Sequence, residues 1–339
     1  MKCGVVGATG YLGAELLRLL AGHPDLDVAA AQADSTAGAM LAEVYPALAP
    51  AYADLVIDGL EPGHLEGCDL VFVALPSGVS QPVVSSLVDK VRLVVDLGAD
   101  FRLRDPALYE QWYGFSHSCP GLLAAAVYGL PELFRNELQG ASLVAAPGCY
   151  PTAASLALGP LVAAGLLARS GVIVDAASGT SGAGKGASSG LHHPLANERF
   201  TPYGLLTHRH TPEIEQVIGA EVLFTPHLAP MTRGILATCY ARPATDEPMT
   251  TERLIGELRG RYAGEPFVHV TDGLPSTSDA YGSNVAHLTA RVDHRTGWVV
   301  VISAIDNLVK GGAGQAIQAA NVALGLPETA GLPVAALSP

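Results

Sequence analysis

A chain of 339 residues, 49% hydrophobic and only 15% charged, is too long for one ordinary core and too apolar to stay disordered, so two folded domains are expected. Its 19 basic against 32 acidic residues leave a net charge of -13, which opposes binding to nucleic acid or an anionic membrane and leaves room only for a local basic pocket. Five scattered cysteines (Cys3, Cys68, Cys119, Cys149, Cys239) without a CxxC pair argue against a disulfide framework or a cysteine zinc site and predict a reducing cytoplasm.

The start of the chain, Met1 to Gly7, enters a strand directly and lacks a signal-peptide layout; no apolar run is long enough to span a membrane. The apolar run Cys3–Val6 leads into Gly7-Ala8-Thr9-Gly10-Tyr11-Leu12-Gly13 and then an amphipathic stretch from Ala14 to Leu20. Strand, glycine turn and helix in this order predict a dinucleotide-binding unit: Gly7 for the turn, Gly10 for approach of a pyrophosphate, Gly13 for helix packing. Thr9, Tyr11 and Leu12 belong to the same expected cradle. A second strand, Val28–Ala33, ends in Asp34-Ser35-Thr36, where the adenosine ribose would lie; the acid favours NAD and the hydroxyls tolerate a 2′-phosphate, so the choice stays open.

Strands at Leu70–Leu75, Leu93–Val95 and Ser142–Ala146 continue a parallel doubly wound sheet. The loop Pro76–Ser80, with Ser77, falls at the carboxyl edge where ligands bind. Arg102, past the next strand, is a candidate anion clamp; the competing reading is a surface arginine paired with Asp100 or Asp105. Pro147-Gly148-Cys149-Tyr150-Pro151-Thr152 then places Cys149 on a sharp turn before an Ala- and Leu-rich helix, with Pro151 near its first position. A helix N-terminus favours the thiolate, so Cys149 is the candidate nucleophile; a small buried hydrophobe is the competing reading. Cys119 is the rival nucleophile, without a helix start as well placed.

In the second half, the strand Val172–Ala177 ends in a flexible, donor-rich loop containing Ser181, Gly182 and Lys185, followed by a long polar segment, 187–204, suited to covering a site. His208 and His210 precede a helix expected to start with Thr211 as cap and Pro212 first. One of them is expected to shuttle the cysteine's proton; His210, nearer the helix, is preferred, and Glu213 is placed to orient a histidine. A metal site joining these to His192 and His193 lacks carboxylates at ligand spacing and is not expected. Strands at Gly234–Ala241, Phe267–Val270, Asn284–Val292 and Trp298–Ala304, the last two joined as a hairpin through Asp293–Gly297, predict an α+β domain with a sheet face available for subunit contact. The final helix, opened by small residues, is expected to return to the first domain, with Asn307 reaching the nicotinamide or capping its own helix.

Taken together, Gly7–Gly13, Gly98–Arg102, Tyr128–Leu133, Pro147–Thr152, Ser178–Gly184, His208–Ile214 and Asp306–Gly311 resemble the N-acetyl-γ-glutamyl-phosphate reductase family of arginine biosynthesis over essentially the whole chain. Pro-Gly-Cys-Tyr-Pro-Thr and His-Arg-His-Thr-Pro-Glu-Ile are the most specific parts; the related aspartate-semialdehyde dehydrogenases have Asn before their cysteine. The resemblance implies an α/β architecture: a Rossmann domain over 1–148, completed by a C-terminal helix near 307–326, and an α+β domain of the glyceraldehyde-phosphate dehydrogenase type over 149–306. It also implies NADP(H), an acyl-phosphate substrate released as aldehyde and inorganic phosphate, and a homodimer or homotetramer. Asp34 departs from the family's usual Ser, Thr, Arg or Gly. The alternatives are a reductase of aminoadipyl or aspartyl phosphate, or a cofactor-binding regulator that kept the fold without the chemistry.

Overall fold

The computed structural model describes residues 1–337. The chain separates into two compact units: Met1–Pro147 with Gly312–Leu332, and Gly148–Gly311 with the residues from Pro333 on.

In the first unit β1 (Lys2–Val6), β2 (Asp27–Gln32), β3 (Ile57–Asp58), β4 (Leu70–Val73), β5 (Leu93–Asp96), β6 (Val127–Tyr128) and β7 (Leu143–Ala145) form one sheet in the order β3-β2-β1-β4-β5-β7-β6. Every neighbouring pair is parallel. β4 and β5 are buried at every position, the signature of a sheet covered on both faces. Two-residue β3 and β6 escape sequence reading because so short a run carries no periodicity. Strand order reverses between β1 and β4, and the crevice beyond the carboxyl ends at such a switch point is where these sheets take ligands.

The glycines at that point divide by cause. Gly7 has φ +80, and a Cβ on it would lie 2.3 Å from the Ala74 carbonyl oxygen. On Gly13, which packs the Tyr11–Leu20 helix on the turn, a Cβ would lie 2.2 Å from Gly7 O and 2.7 Å from Ala8 Cα. Because the atoms in the way are backbone, Gly13→Ala is expected to cost about 3 kcal/mol, read as a lowered urea midpoint with unchanged slope. Gly10 differs: its φ of -76 suits any residue and a Cβ would meet only Gly7 O, at 3.5 Å. Nothing within the chain requires a glycine there.

The second unit is built on the helix Cys149–Ala163, buried on nearly all sides. It continues through Pro160. Proline removes the bond normally accepted by the carbonyl four residues earlier. That carbonyl, Leu156 O, instead accepts the hydroxyl of buried Tyr262 at 2.6 Å.

Against this helix lies a mixed sheet of β8 (Val172–Gly179), β9 (Thr201–Pro202), β10 (Val222–Ala229), β11 (Ile235–Ala241), β12 (Val268–Val270), β13 (Ala286–Asp293) and β14 (Trp298–Ile305). Its order is β12-β13-β14-β11-β8-β10-β9. The β13–β14 hairpin is antiparallel, as its turn implies, but β10 pairs in parallel with β8. Sequence reading missed β10, whose Pro226 interrupts the strand pattern. Val174, Ala176, Ala237, Cys239 and Val301 fill the helix side; Ile173, Asp175, Leu236 and Thr238 are half-buried on the other.

Burial pushes the Cys3 and Cys239 thiols up to about 12, so these two are inert core residues. The segment predicted to be irregular, 187–204, contains a short helix, His193–Ala196, and β9. Among the described residues no helix is long and apolar enough to cross a membrane.

Candidate active site

Cys149 is the first residue of its helix, with Gly148 as N-cap at φ -68 and ψ 154. Pro151 therefore stands third rather than first. The turn is closed by Thr152, whose N–H and Oγ1–H both donate to Gly148 O at 2.9 Å. Cys149 is half-buried and stands at the positive end of the helix dipole.

The histidine lies closer to the helix start than the sequence indicated. His210 is itself the first residue of the helix His210–Ile218, and Thr211 does not cap it. Pro212 is tolerated at the third position because first-turn N–H groups have no helical acceptor. A Cβ on Gly148 would fall 2.5 Å from His210 Nε2 and 2.9 Å from Cδ2 and Cε1, so the imidazole lies directly across the residue preceding the cysteine. One turn along the same helix, fully buried Glu213 accepts the Gly148 N–H on Oε1 at 2.8 Å. Glu213, expected to orient a histidine, anchors the cysteine turn.

His208 is a second, distinct imidazole. Its Nδ1 accepts the His210 backbone N–H at 3.1 Å, and its ring sits edge-on to His210, Tyr150, Tyr203 and Phe224. Burial, and then the Arg209 charge, push it down from 6.5 to about 4, so it is neutral at physiological pH. The unfolded chain takes up this proton at higher pH than the native one, so stability falls as pH drops from about 6.5 to about 4. Urea midpoints measured across that window should fall less steeply for His208→Phe than for wild type. Tyr150, whose hydroxyl donates to His227 O at 2.9 Å, is pushed far above the usual phenol range by burial.

A glycine from the far end of the unit completes the surround. Gly311 lies in a single π-helical turn, Val309–Ala313, and its N–H donates to Asp306 O at 2.8 Å. A Cβ on Gly311 would come 2.8 Å from Cys149 Cβ and 3.2 Å from Cys149 Cα. Gly311→Ala must therefore displace the cysteine, and we expect turnover to fall about 100-fold with nucleotide affinity unchanged, measured by steady-state kinetics and calorimetric titration.

Asp306 shapes this turn: Oδ1 accepts Leu308 N–H at 2.8 Å and Val309 N–H at 3.0 Å, Oδ2 accepts Gly282 N–H at 2.8 Å, and Arg233 lies 3.5 Å away. Asp306, not Asn307, thus caps the segment. Asn307 is buried and braces two loops, its Oδ1 accepting Gly234 N–H at 2.7 Å and its Nδ2 donating to Ser181 Oγ at 2.9 Å. Gly182 packs beside it, where a Cβ would lie 2.7 Å from Ser178 Oγ. Lys185 is exposed on the segment that follows.

In the first unit Gly7, Thr9, Gly10, Tyr11, Leu12 and Gly13 form the turn and the helix start at the switch point, with Tyr11 exposed and Thr9 buried. Thr36 Oγ1 reaches Thr9 Oγ1 at 3.2 Å, while Asp34 and Ser35 are exposed beyond the end of β2. Ser77 is half-buried on the loop after β4. Arg102 is buried, which removes the surface-pair reading. Its Nε donates to Ala146 O at 2.8 Å and its Nη2 to Leu97 O at 2.9 Å, so much of the expected anion clamp is committed to backbone. The glycine without an internal cause, Gly10, leaves open the space a pyrophosphate needs at the helix N-terminus, so the turn fits a dinucleotide.

The family model of the semialdehyde dehydrogenase NAD-binding domain matches residues 2–141, and that of the semialdehyde dehydrogenase dimerisation domain matches residues 149–307. An N-acetyl-gamma-glutamyl-phosphate reductase of Symbiobacterium thermophilum is 51% identical over 341 residues, covering 98% of this chain and 97% of that protein. Proteins of the same name from Heliobacterium modesticaldum and Geobacter sulfurreducens are each 47% identical and cover 100% of both chains. The chain belongs to the N-acetyl-γ-glutamyl-phosphate reductase family. For this reductase the nucleotide-binding unit serves a nicotinamide cofactor, and the second carries the family's dimerisation domain. Solved structures with the same fold include aspartate semialdehyde dehydrogenase II from Vibrio cholerae (TM-score 0.72, 15% identity, 95% of this chain and 97% of that one). Another is the Candida albicans aspartate semialdehyde dehydrogenase with NADP (TM-score 0.71, 18% identity, 95% and 97%).

Proposed function

We propose that this protein reduces N-acetyl-γ-glutamyl phosphate to N-acetylglutamate 5-semialdehyde and inorganic phosphate with NADPH, through a thioester on Cys149. The observation that carries the mechanism is the His210 ring lying across Gly148, immediately before a cysteine at a helix N-terminus. His210 and the helix end together favour the thiolate, which attacks the acyl carbon and expels phosphate. When bound, the nicotinamide supplies the hydride that takes the thioester to the aldehyde level. His210 gives a proton to the oxyanion of the thiohemiacetal and takes it back as the C–S bond breaks, freeing aldehyde and regenerating the thiolate. Backbone N–H donors at the Cys149 helix start are assigned to that oxyanion.

Ser35 and Thr36 supply hydroxyl donors for a 2′-phosphate, which supports NADP(H) beside the exposed Asp34. Arg102 and Lys185 are the cations assigned to the substrate's anionic groups. A homodimer or homotetramer formed through the dimerisation domain, working in the cytoplasm, completes the reading. The test is phosphate-dependent reduction of NADP and, in parallel, NAD, with N-acetylglutamate 5-semialdehyde, aminoadipate semialdehyde and aspartate semialdehyde side by side. Turnover with NADP and the N-acetylated compound at least about 100-fold above the others is expected; a preference for either other aldehyde would replace this substrate.

A further inference from the structure

A buried acid pair stands behind the Pro76–Ser80 loop of the first unit. Asp96 ends β5, Asp100 follows shortly after, and both are fully buried. Asp100 faces the loop: its Oδ1 and Oδ2 accept Gly78 N–H at 2.7 and 2.9 Å, and Oδ2 also accepts the Ser80 N–H at 3.2 Å and Ser80 Oγ–H at 2.8 Å. Asp96 sits on the other side of Ser80, with Oδ1 accepting Gly98 N–H at 3.0 Å and Oδ2 3.3 Å from Ser80 Oγ. Gly98 admits it, since a Cβ there would lie 2.9 Å from Asp96 Oδ1 and 3.1 Å from Ser80 Oγ.

A serine hydroxyl has one proton to give, and two carboxylates face this one. With the proton directed to Asp100, the nearer acceptor, an ionised Asp96 would confront a lone pair of Ser80 and place a second negative charge in the interior. A proton on Asp96 Oδ2 removes the conflict. Asp96 then donates to Ser80 Oγ, Ser80 donates to Asp100, and Asp100 remains a carboxylate holding the two loop N–H groups.

Burial first and the Asp100 charge second push the Asp96 carboxyl up to about 7, against the opposing pull of Gly98 N–H, Arg102 and Ser80. The other ionisable groups facing the pair are Tyr109, whose hydroxyl donates to Ala99 O, and His117, whose Nε2 is 2.7 Å from Asp100 O and whose pKa burial lowers. β4, β7 and the helices Ser80–Leu87 and Gly314–Leu324, all packed on β5, carry no ionisable side chain. The loop the pair holds continues from Ala74, whose carbonyl lies against Gly7 at the switch point.

We propose that Asp100, Ser80 and a proton resident on Asp96 form a positioning relay that holds the Ser77–Gly78 turn in the shape that receives the nicotinamide cofactor. This rests on the cofactor reading above. As pH rises and the Asp96 proton leaves, Ser80 is drawn between two carboxylates and the turn loosens. The native state keeps this proton at pH values where the unfolded chain has lost it, so the stability it contributes also declines as pH rises toward about 7 and is gone above it.

Calorimetric titration of the full chain with NADPH from pH 6 to 9 tests the relay, comparing variant with wild type at each pH so that titration of the cofactor's own phosphate cancels. Wild-type affinity should fall about tenfold across the range. Asp96→Asn reproduces the donor pattern of the protonated acid and should hold its low-pH affinity throughout. Asp100→Asn exchanges an acceptor oxygen for a donor and should bind at least about tenfold more weakly at every pH. Faster hydrogen exchange at Gly78 and Ser80 in wild type at high pH, corrected for intrinsic rate and absent in Asp96→Asn, is the readout that needs no Asp100 variant. An Asp96→Asn curve that follows wild type, or an Asp100→Asn variant that folds and binds like wild type, overturns the relay alone. Wild type that binds no NADPH or NADH at any pH overturns the cofactor reading and the relay with it.

Discussion

Cys149→Ser is expected to lower acyl-phosphate reduction by at least about 1,000-fold while leaving the affinity for NADPH within about twofold of wild type. The hydroxyl would occupy the same helix start, beside the same imidazole, so the packing of Gly311 and the Gly148–Glu213 bond would survive. What is lost is the nucleophile. A serine hydroxyl stays protonated where a thiol at a helix N-terminus ionises, and an oxygen ester is a poorer hydride acceptor than a thioester. Because the cradle at Gly7, Gly10 and Gly13 belongs to the other folded unit, nucleotide titration separates this loss from misfolding. Comparable loss of nucleotide affinity would mean that the substitution damaged more than the chemistry.

His210→Asn should reduce kcat/KM by about 100- to 10,000-fold, and His208→Asn by far less. The asymmetry follows from what each imidazole can do. His208 is pushed down to about 4, so it is neutral at working pH, and its Nδ1 lone pair is occupied by the His210 N–H. His210 instead lies over Gly148, the residue before Cys149. The two variants also separate in alkylation. Iodoacetamide should label Cys149 readily near neutral pH in wild type and His208→Asn, but only at higher pH in His210→Asn, where the imidazole at the cysteine turn is gone. Equal losses of turnover for the two histidines would contradict the assignment.

Much of the backbone around the candidate site was readable because the relevant forces are local. Three glycines after a first strand, a Gly-Cys turn before an apolar helix and a His-x-His ahead of a Pro-Glu helix start each act within a few residues. So does the turn of the β13–β14 hairpin. The helix boundary at His210 was misplaced because Pro212 was assumed to sit first, although a proline fits anywhere in a first turn. That the helix tolerates Pro160 has a long-range reason: the carbonyl that proline frees is satisfied by Tyr262, 106 residues away from Leu156.

The contacts that fix the cysteine were equally invisible. Glu213 reaches Gly148 across 65 residues, Asn307 reaches Ser181 across 126, and the π-turn that brings Gly311 against Cys149 has no periodicity to betray it. Asp306 could have been suspected only as an acid at a helix start; that it also holds Gly282 and lies beside Arg233 comes from packing alone. Asp96 was passed over, and Asp100 read only as a surface partner of Arg102, because acids near a strand end usually face solvent; both are fully buried beside β5.

The central claim is that Cys149 accepts the acyl group before any reduction occurs. Rapid mixing of the enzyme with N-acetyl-γ-glutamyl phosphate in the absence of nucleotide, followed by acid quench, measures it directly. One equivalent of phosphate per active site should be released in a burst, with the acyl mass found on the peptide that contains Cys149 and absent from Cys149→Ser. Steady turnover without that burst, or an acyl group attached to any other residue, would contradict it.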